Sequence, residues 1–128
     1  MTRKTRLGDL QLAIMRVLWE RGEASAAEVC AALHRARKLA PTTIATMLKK
    51  MEVKGLVSHR SEGRRFIYEP SVTEAEVTRS MVSDLTSRLF AGDATALVSH
   101  LISTHEIGAD DLAEIKQIIR KAEKDRKQ

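Results

Sequence analysis

The hydrophobic rhythm of this chain changes period once, between Leu56 and Pro70, and that change confines the fold more than any other feature. Leu56-Val57-Ser58-His59-Arg60 and Arg65-Phe66-Ile67-Tyr68-Glu69 read as two strands. Ser61-Glu62-Gly63-Arg64 lies between them as a turn, with Gly63 available for positive φ, and Pro70 closes the second strand. Before and after this hairpin the apolar residues recur at helical spacing. Leu10, Ile14, Val17 and Leu18 mark a first helix over residues 7–22, with Gly8 or Asp9 at its start and Gly22 at its end. Ser25-Ala26-Ala27-Glu28 is a capping box, which opens a second helix carrying Val29, Ala32 and Leu33. Arg35, Arg37 and Lys38 fall at its end, where cations suit the helix dipole. Pro41 opens a third helix, because its missing N–H has no partner to lose there. Ile44, Met47, Leu48 and Met51 line one face of that helix and Gly55 ends it.

After Pro70 the pattern is helical throughout. Thr73-Glu74-Ala75-Glu76 is a second capping box, at the head of a long helix with Val77, Met81, Leu85 and Leu89 inward. Gly92-Asp93 breaks it. A shorter helix carries Leu97, Val98, Leu101 and Ile102. Gly108 breaks again, and Asp110 and Asp111 start a last helix with Leu112, Ile115, Ile118, Ile119 and Ala122, whose charged tail from Arg120 to Lys127 is expected to fray. Only 3% of residues are aromatic while 43% are apolar, so the core is aliphatic, which suits packed helices. The expected fold is mainly α with a small β-hairpin wing. A winged helix-turn-helix domain over residues 1–70 is followed by a helical domain over 71–128. Three short amphipathic helices offer more apolar stripe than about 58 residues bury alone, so the second domain is expected to pack against a second copy. The expected dimerisation residues are Val77, Met81, Leu85, Leu89, Leu97, Leu101, Ile115, Ile118 and Ile119.

Charge follows the same division. Residues 1–70 hold 14 Lys and Arg against 7 Asp and Glu, whereas residues 71–128 hold 8 against 10, within a total of +5. A basic front half is suited to a polyanion, and a near-neutral back half to protein. In the third helix, Thr42, Thr43 and Thr46 are short, can hydrogen-bond to base edges and carry methyls that can meet thymine. Lys49 and Lys50 stand where phosphates would be reached. Arg60, Arg64 and Arg65 cluster about the hairpin turn, as a wing that lies on the backbone requires, while Phe66 and Tyr68 are expected to pack the wing onto the helices.

An enzyme finds little support. Cys30 and His34 are one helical turn apart, a spacing that can bring two ligands or a thiol and a base together, but no third group accompanies them. His59, His100 and His105 form no ligand pair, and no Gly-rich phosphate loop or Ser-centred elbow is present. No metal or cofactor is expected. One cysteine excludes an intrachain disulfide, no apolar run reaches the ~20 residues a span needs, and basic residues 1–6 lead into no hydrophobic signal core. The cytoplasm is the expected compartment.

Five segments together resemble the penicillinase repressor (BlaI/MecI) family. They are Leu12-Ala13-Ile14-Met15-Arg16-Val17-Leu18-Trp19, Ala40-Pro41-Thr42-Thr43-Ile44-Ala45-Thr46-Met47-Leu48, Lys54-Gly55-Leu56-Val57, Gly63-Arg64-Arg65-Phe66-Ile67-Tyr68 and Leu89-Phe90-Ala91-Gly92-Asp93. The similarity runs from about Leu7 to Ala122. It implies a homodimeric repressor on palindromic operator DNA, often of β-lactamase or other resistance genes. It also implies a membrane-bound metalloprotease sensor that cleaves the dimerisation helices. Thr42, Thr43, Thr46 and Lys50 fall where the family's recognition helix meets DNA. The family's scissile bond is typically Asn–Phe; His100 and Leu101 occupy the matching positions here. The C-terminal cysteine cluster of the copper-responsive branch has no counterpart. A repressor switched by a directly bound ligand, and a winged-helix protein–protein adaptor, are the alternative readings.

Overall fold

The computed structural model describes residues 7–104 and 106–127; residues 1–6, His105 and Gln128 lie outside it. The element order is α1 (Asp9–Arg21), β1 (Ala24–Ser25), α2 (Ala26–Leu33), α3 (Pro41–Val53), β2 (Val57–Glu62), β3 (Arg65–Pro70), α4 (Glu74–Phe90), α5 (Ala94–Ser103) and α6 (Ala109–Arg126). Two compact units divide this order, residues 1–84 and 85–128.

In the first unit three helices pack on a small antiparallel sheet of order β1-β3-β2. Gly8 caps α1, its N–H donating to Gln11 Oε1 at 3.3 Å. Gly22 ends α1, its N–H reaching the Leu18 carbonyl at 2.7 Å. Ser25 and Glu28 form the expected box at the head of α2: the Ser25 N–H donates to Glu28 Oε1 at 2.8 Å, and the Glu28 N–H donates to Ser25 Oγ at 3.2 Å. α2 stops at Leu33, short of Arg35 and Lys38, which lie in the connection to α3. From α3, Ile44, Leu48 and Met51 are fully buried with Ile14, Met15 and Leu18 of α1, Val29 of α2 and Leu56. Each is aliphatic and recurs at the spacing of one helix face, so the core is closed by interlocking stripes. The Trp19 indole N–H donates to the Val72 carbonyl at 2.9 Å and ties α1 to the segment after the sheet.

The sheet differs from expectation in two ways. The strands are longer and the turn tighter, because Ser61 pairs with Phe66 and Glu62 with Arg65, leaving only Gly63 and Arg64 as the loop. Gly63 has φ +65 and Arg64 has a negative φ, the pattern of a type II′ hairpin, whose twist matches that of the flanking strands. β1 is a third strand, pairing Ala24 with Tyr68 and Ser25 with Ile67.

The division between the two compact units falls inside α4, after Asp84. Val77 is 2% exposed and Met81 is partly buried, both packed on the core of the first unit within one chain. The Thr73 box opens α4, with the Thr73 N–H on Glu76 Oε1 at 2.8 Å and the Glu76 N–H on Thr73 Oγ1 at 3.0 Å. In the second unit Ala91 and Gly92, both at positive φ, turn the chain. Asp93 then caps α5 by accepting the Ala96 N–H at 3.0 Å. α6 remains helical through its charged tail to Arg126, with Lys124 and Arg126 in its last turn, where the helix dipole favours cations. No side chain of α5 or α6 is buried, and Leu89 is 70% exposed. Among the described residues no helix is long and apolar enough to cross a membrane.

Candidate nucleic-acid interface

The start of α3 is shaped to present side chains. Ala40 is extended and Pro41 takes the first helical position, so the helix begins abruptly. With Ile44, Leu48 and Met51 committed to the core, Thr42, Thr43, Thr46, Lys49 and Lys50 remain exposed. Thr42, Thr43, Thr46, Met47 and Lys50 line one shallow depression, so the three threonines and one cation form a single continuous surface. Gln11 Nε2 lies 3.5 Å from the Met47 sulfur and fixes the side chain at its edge.

The three wing arginines do not share one environment. Arg60 donates from Nη1 to Glu23 Oε1 at 2.7 Å and from Nη2 to Glu23 Oε2 at 2.9 Å, and reaches Glu62 Oε2 at 3.2 Å. The Arg60 hydrogen bonds hold the Glu23 carboxyl below the usual carboxylate range, and Glu23 and Glu62 together push the Arg60 guanidinium up. In the folded chain the Arg60 charge is thus already met by two carboxylates. Arg65 reaches Glu62 Oε1 only at 3.4 Å. Arg64, Lys49 and Lys50 have no acidic partner among the described residues.

The aromatic residues also divide. Tyr68 is 3% exposed and packs the sheet onto the core, where burial, with Glu52 adding to it, pushes its phenol up. Phe66 instead is 42% exposed and stacks on His59 at a ring separation of 4.3 Å. His59 Nδ1 in turn lies 2.7 and 2.9 Å from the two carboxylate oxygens of Glu52. This contact joins the C-terminal turn of α3 to the middle of β2, and so fixes the wing relative to the threonine surface. Residue spacing did not single out His59, Glu52 or Glu23, whose contacts arise from tertiary folding. Cys30 donates from Sγ to the Leu39 carbonyl at 3.2 Å and packs against the core.

Residues 7–121 match the penicillinase repressor family. The chain belongs to that family. Among its relatives, the transcriptional regulator BlaI of Mycobacterium tuberculosis (strain ATCC 25618 / H37Rv) is 31% identical over 125 residues, covering 96% of this chain and 89% of the relative. The penicillinase repressor of Bacillus licheniformis is 26% identical over 113 residues, 88% of each chain. Among solved structures, the monomeric form of Bacillus licheniformis BlaI in complex with the blaP half-operator is 33% identical, with a TM-score of 0.50, covering 59% of this chain and 93% of that one.

Family members are known as repressors, and two further groups of positions bear on that. In the second unit, Leu85, Leu89, Ile118 and Ile119 are exposed, and Leu97, Leu101 and Ile115 are partly covered. The His100–Leu101 bond lies within α5. The His100 carbonyl accepts from the Thr104 N–H at 3.0 Å, from Thr104 Oγ1 at 2.8 Å and from Ser103 Oγ at 3.3 Å. The bond therefore sits in hydrogen-bonded helix, not in the extended backbone that a protease cleft accepts.

Proposed function

We propose that this penicillinase repressor family chain acts in the cytoplasm as a homodimeric, sequence-specific repressor that blocks transcription by binding a palindromic operator, and that it has no catalytic activity of its own. One observation carries the reading: an exposed threonine face on α3 shares its surface with Lys50, and Lys49 of the same helix meets Arg64 of the wing in a second hollow; none of these three cations has an acidic partner among the described residues. A helix of that kind suits the major groove, with short hydroxyl side chains toward base edges and cations toward phosphate. The half-operator complex of the Bacillus licheniformis relative supports the same use of the first unit. Thr42, Thr43 and Thr46 read bases; Lys49, Lys50, Arg64 and Arg65 hold phosphates; Arg60 braces the wing.

The second unit supplies the dimer through Leu85, Leu89, Leu97, Leu101, Ile115, Ile118 and Ile119. Val77 and Met81 serve the first unit's core instead. Release by a sensor protease at His100–Leu101 would require α5 to unwind around a carbonyl with three hydrogen-bond donors. A mobility-shift assay with DNA from upstream of the chain's own gene tests the reading. A shift that survives excess random DNA is expected. The absence of a shift on any DNA would favour a protein–protein adaptor.

A further inference from the structure

Beyond the threonine surface, the first unit has a second concavity, between the start of α2, the outer side of α3 and the wing. It holds about 310 Å³, at the lower end of the range of small-molecule sites. Its lining includes Ala27, Ala45 and Phe66, which are apolar, and Lys49, Arg64 and Arg65, which are cationic, with Ser25 and Tyr68 adding hydroxyl-bearing side chains. Three separate elements build it, and no carboxylate is among its lining residues.

Phosphate contact accounts for the cations but not for the apolar part. A phosphodiester has no hydrophobic body, whereas this hollow offers an aromatic ring left 42% exposed beside two alanines. One charged end and one flat apolar body are what such a lining complements: an arene stacks on or against the edge of Phe66, and a carboxylate accepts from the arginine forks and Lys49. Two of the three charges are available for this, because Lys49 and Arg64 have no acidic partner among the described residues, while Arg65 has the 3.4 Å contact to Glu62 and also feels the Glu28 carboxylate.

We propose that this hollow binds a small aromatic carboxylate that competes with operator DNA, making the chain a directly ligand-switched repressor. The competition rests on the repressor reading given above, since the same three cations are assigned there to phosphate. The binding itself does not depend on it. Occupation by a carboxylate withdraws three cations per protomer from the DNA and places an anion on the DNA-facing surface, so the ligand favours the free dimer.

2-Naphthoate is the probe. Titrated into the full-length protein without DNA, it is expected to give saturable amide shifts in a nitrogen-15 NMR spectrum, centred on Ala27, Ala45 and Phe66. At ten times its own Kd it is expected to raise the operator Kd on the order of a hundredfold, as mutually exclusive binding at both protomers of the dimer requires. Ala27→Leu fills the hollow, and is expected to abolish the naphthoate shifts while leaving operator affinity without naphthoate unchanged. Phe66→Leu removes the ring and is expected to weaken naphthoate binding several-fold, providing a second variant if Ala27→Leu does not fold. The proposal is overturned if no saturable shift appears, if the shifts map elsewhere, if they persist in Ala27→Leu, or if inorganic phosphate at equal ionic strength acts as strongly as naphthoate. Localised shifts in a protein that binds no operator would uphold the site and reject the repressor reading.

Discussion

Arg60 and Arg64 are four positions apart in one hairpin and carry the same charge, yet their surroundings give them different tasks. Arg60 is gripped by both oxygens of Glu23 and by Glu62, so moving it onto a phosphate would break contacts already made. Arg64 occupies the loop itself and has no acidic partner among the described residues. Counterion release follows the charges that newly meet phosphate, about 0.9 in slope for each one. In a dimer, Arg64→Ala is therefore expected to weaken binding to all DNA alike and to flatten the slope of log K against log salt by roughly 2. Arg60→Ala is expected to leave that slope nearly unchanged. Titration of both variants against one operator fragment across a salt series reads the difference, and equal slopes for the two variants would refute the division. Sequence alone placed both arginines at the turn. It could not separate them, because Glu23 lies 37 positions from Arg60 and only the folded sheet brings them together.

At the scale of elements, the Glu23–Arg60 pair joins the connection after α1 to the middle of the wing, and the Glu52–His59 contact joins α3 to the same strand. Glu23 is held below its ordinary range, so its stabilisation is complete above that range and is lost as pH falls through the lowered value. Glu23→Gln is expected to unfold at lower urea than the parent at pH 7. As the pH falls below about 4.3, the ordinary glutamate value, the two midpoints are expected to converge. A midpoint difference that stays constant down to pH 3 would assign the effect to something other than the ion pair. Elements written in local code are legible in the amino-acid order itself: Ser25 with Glu28, and Thr73 with Glu76, each close a box within four residues, and Gly63 marks the hairpin loop. β1 was not legible, because two residues carry no alternation and Ala24–Ser25 becomes a strand only where β3 offers its edge. The tight loop was missed for a related reason: pairing of Ser61 and Glu62 extends the ladder into residues whose polarity resembles that of a turn.

For the whole molecule, helical periodicity shows which face of α4 is covered but not what covers it. Val77 and Met81 share their stripe with Leu85 and Leu89, yet the first pair is packed on the winged-helix core and the second pair belongs to the other unit. The threonine surface was legible because it needs only a capped helix with one buried face; the hollow beside the wing was not, because it is assembled from three elements. Leu85 is 42% exposed in the single chain, so Leu85→Asp leaves the fold of one protomer intact while placing a charge in the proposed dimer contact. The variant is expected to have the mass of one chain by light scattering and to bind a full operator no better than a half-site. A variant that stays dimeric would move the contact elsewhere.

The central claim is that two α3 helices enter successive major grooves on one face of the DNA while Lys49, Lys50, Arg64 and Arg65 of each protomer hold phosphates. Hydroxyl-radical footprinting of the DNA upstream of the gene, repeated across a salt series, tests this most directly. The account predicts a protected palindrome whose half-sites lie about one helical turn apart, or a multiple of it, with a slope of log K against log salt of roughly −7 from eight phosphate contacts. Protection without two-fold symmetry, or binding nearly independent of salt, would contradict it.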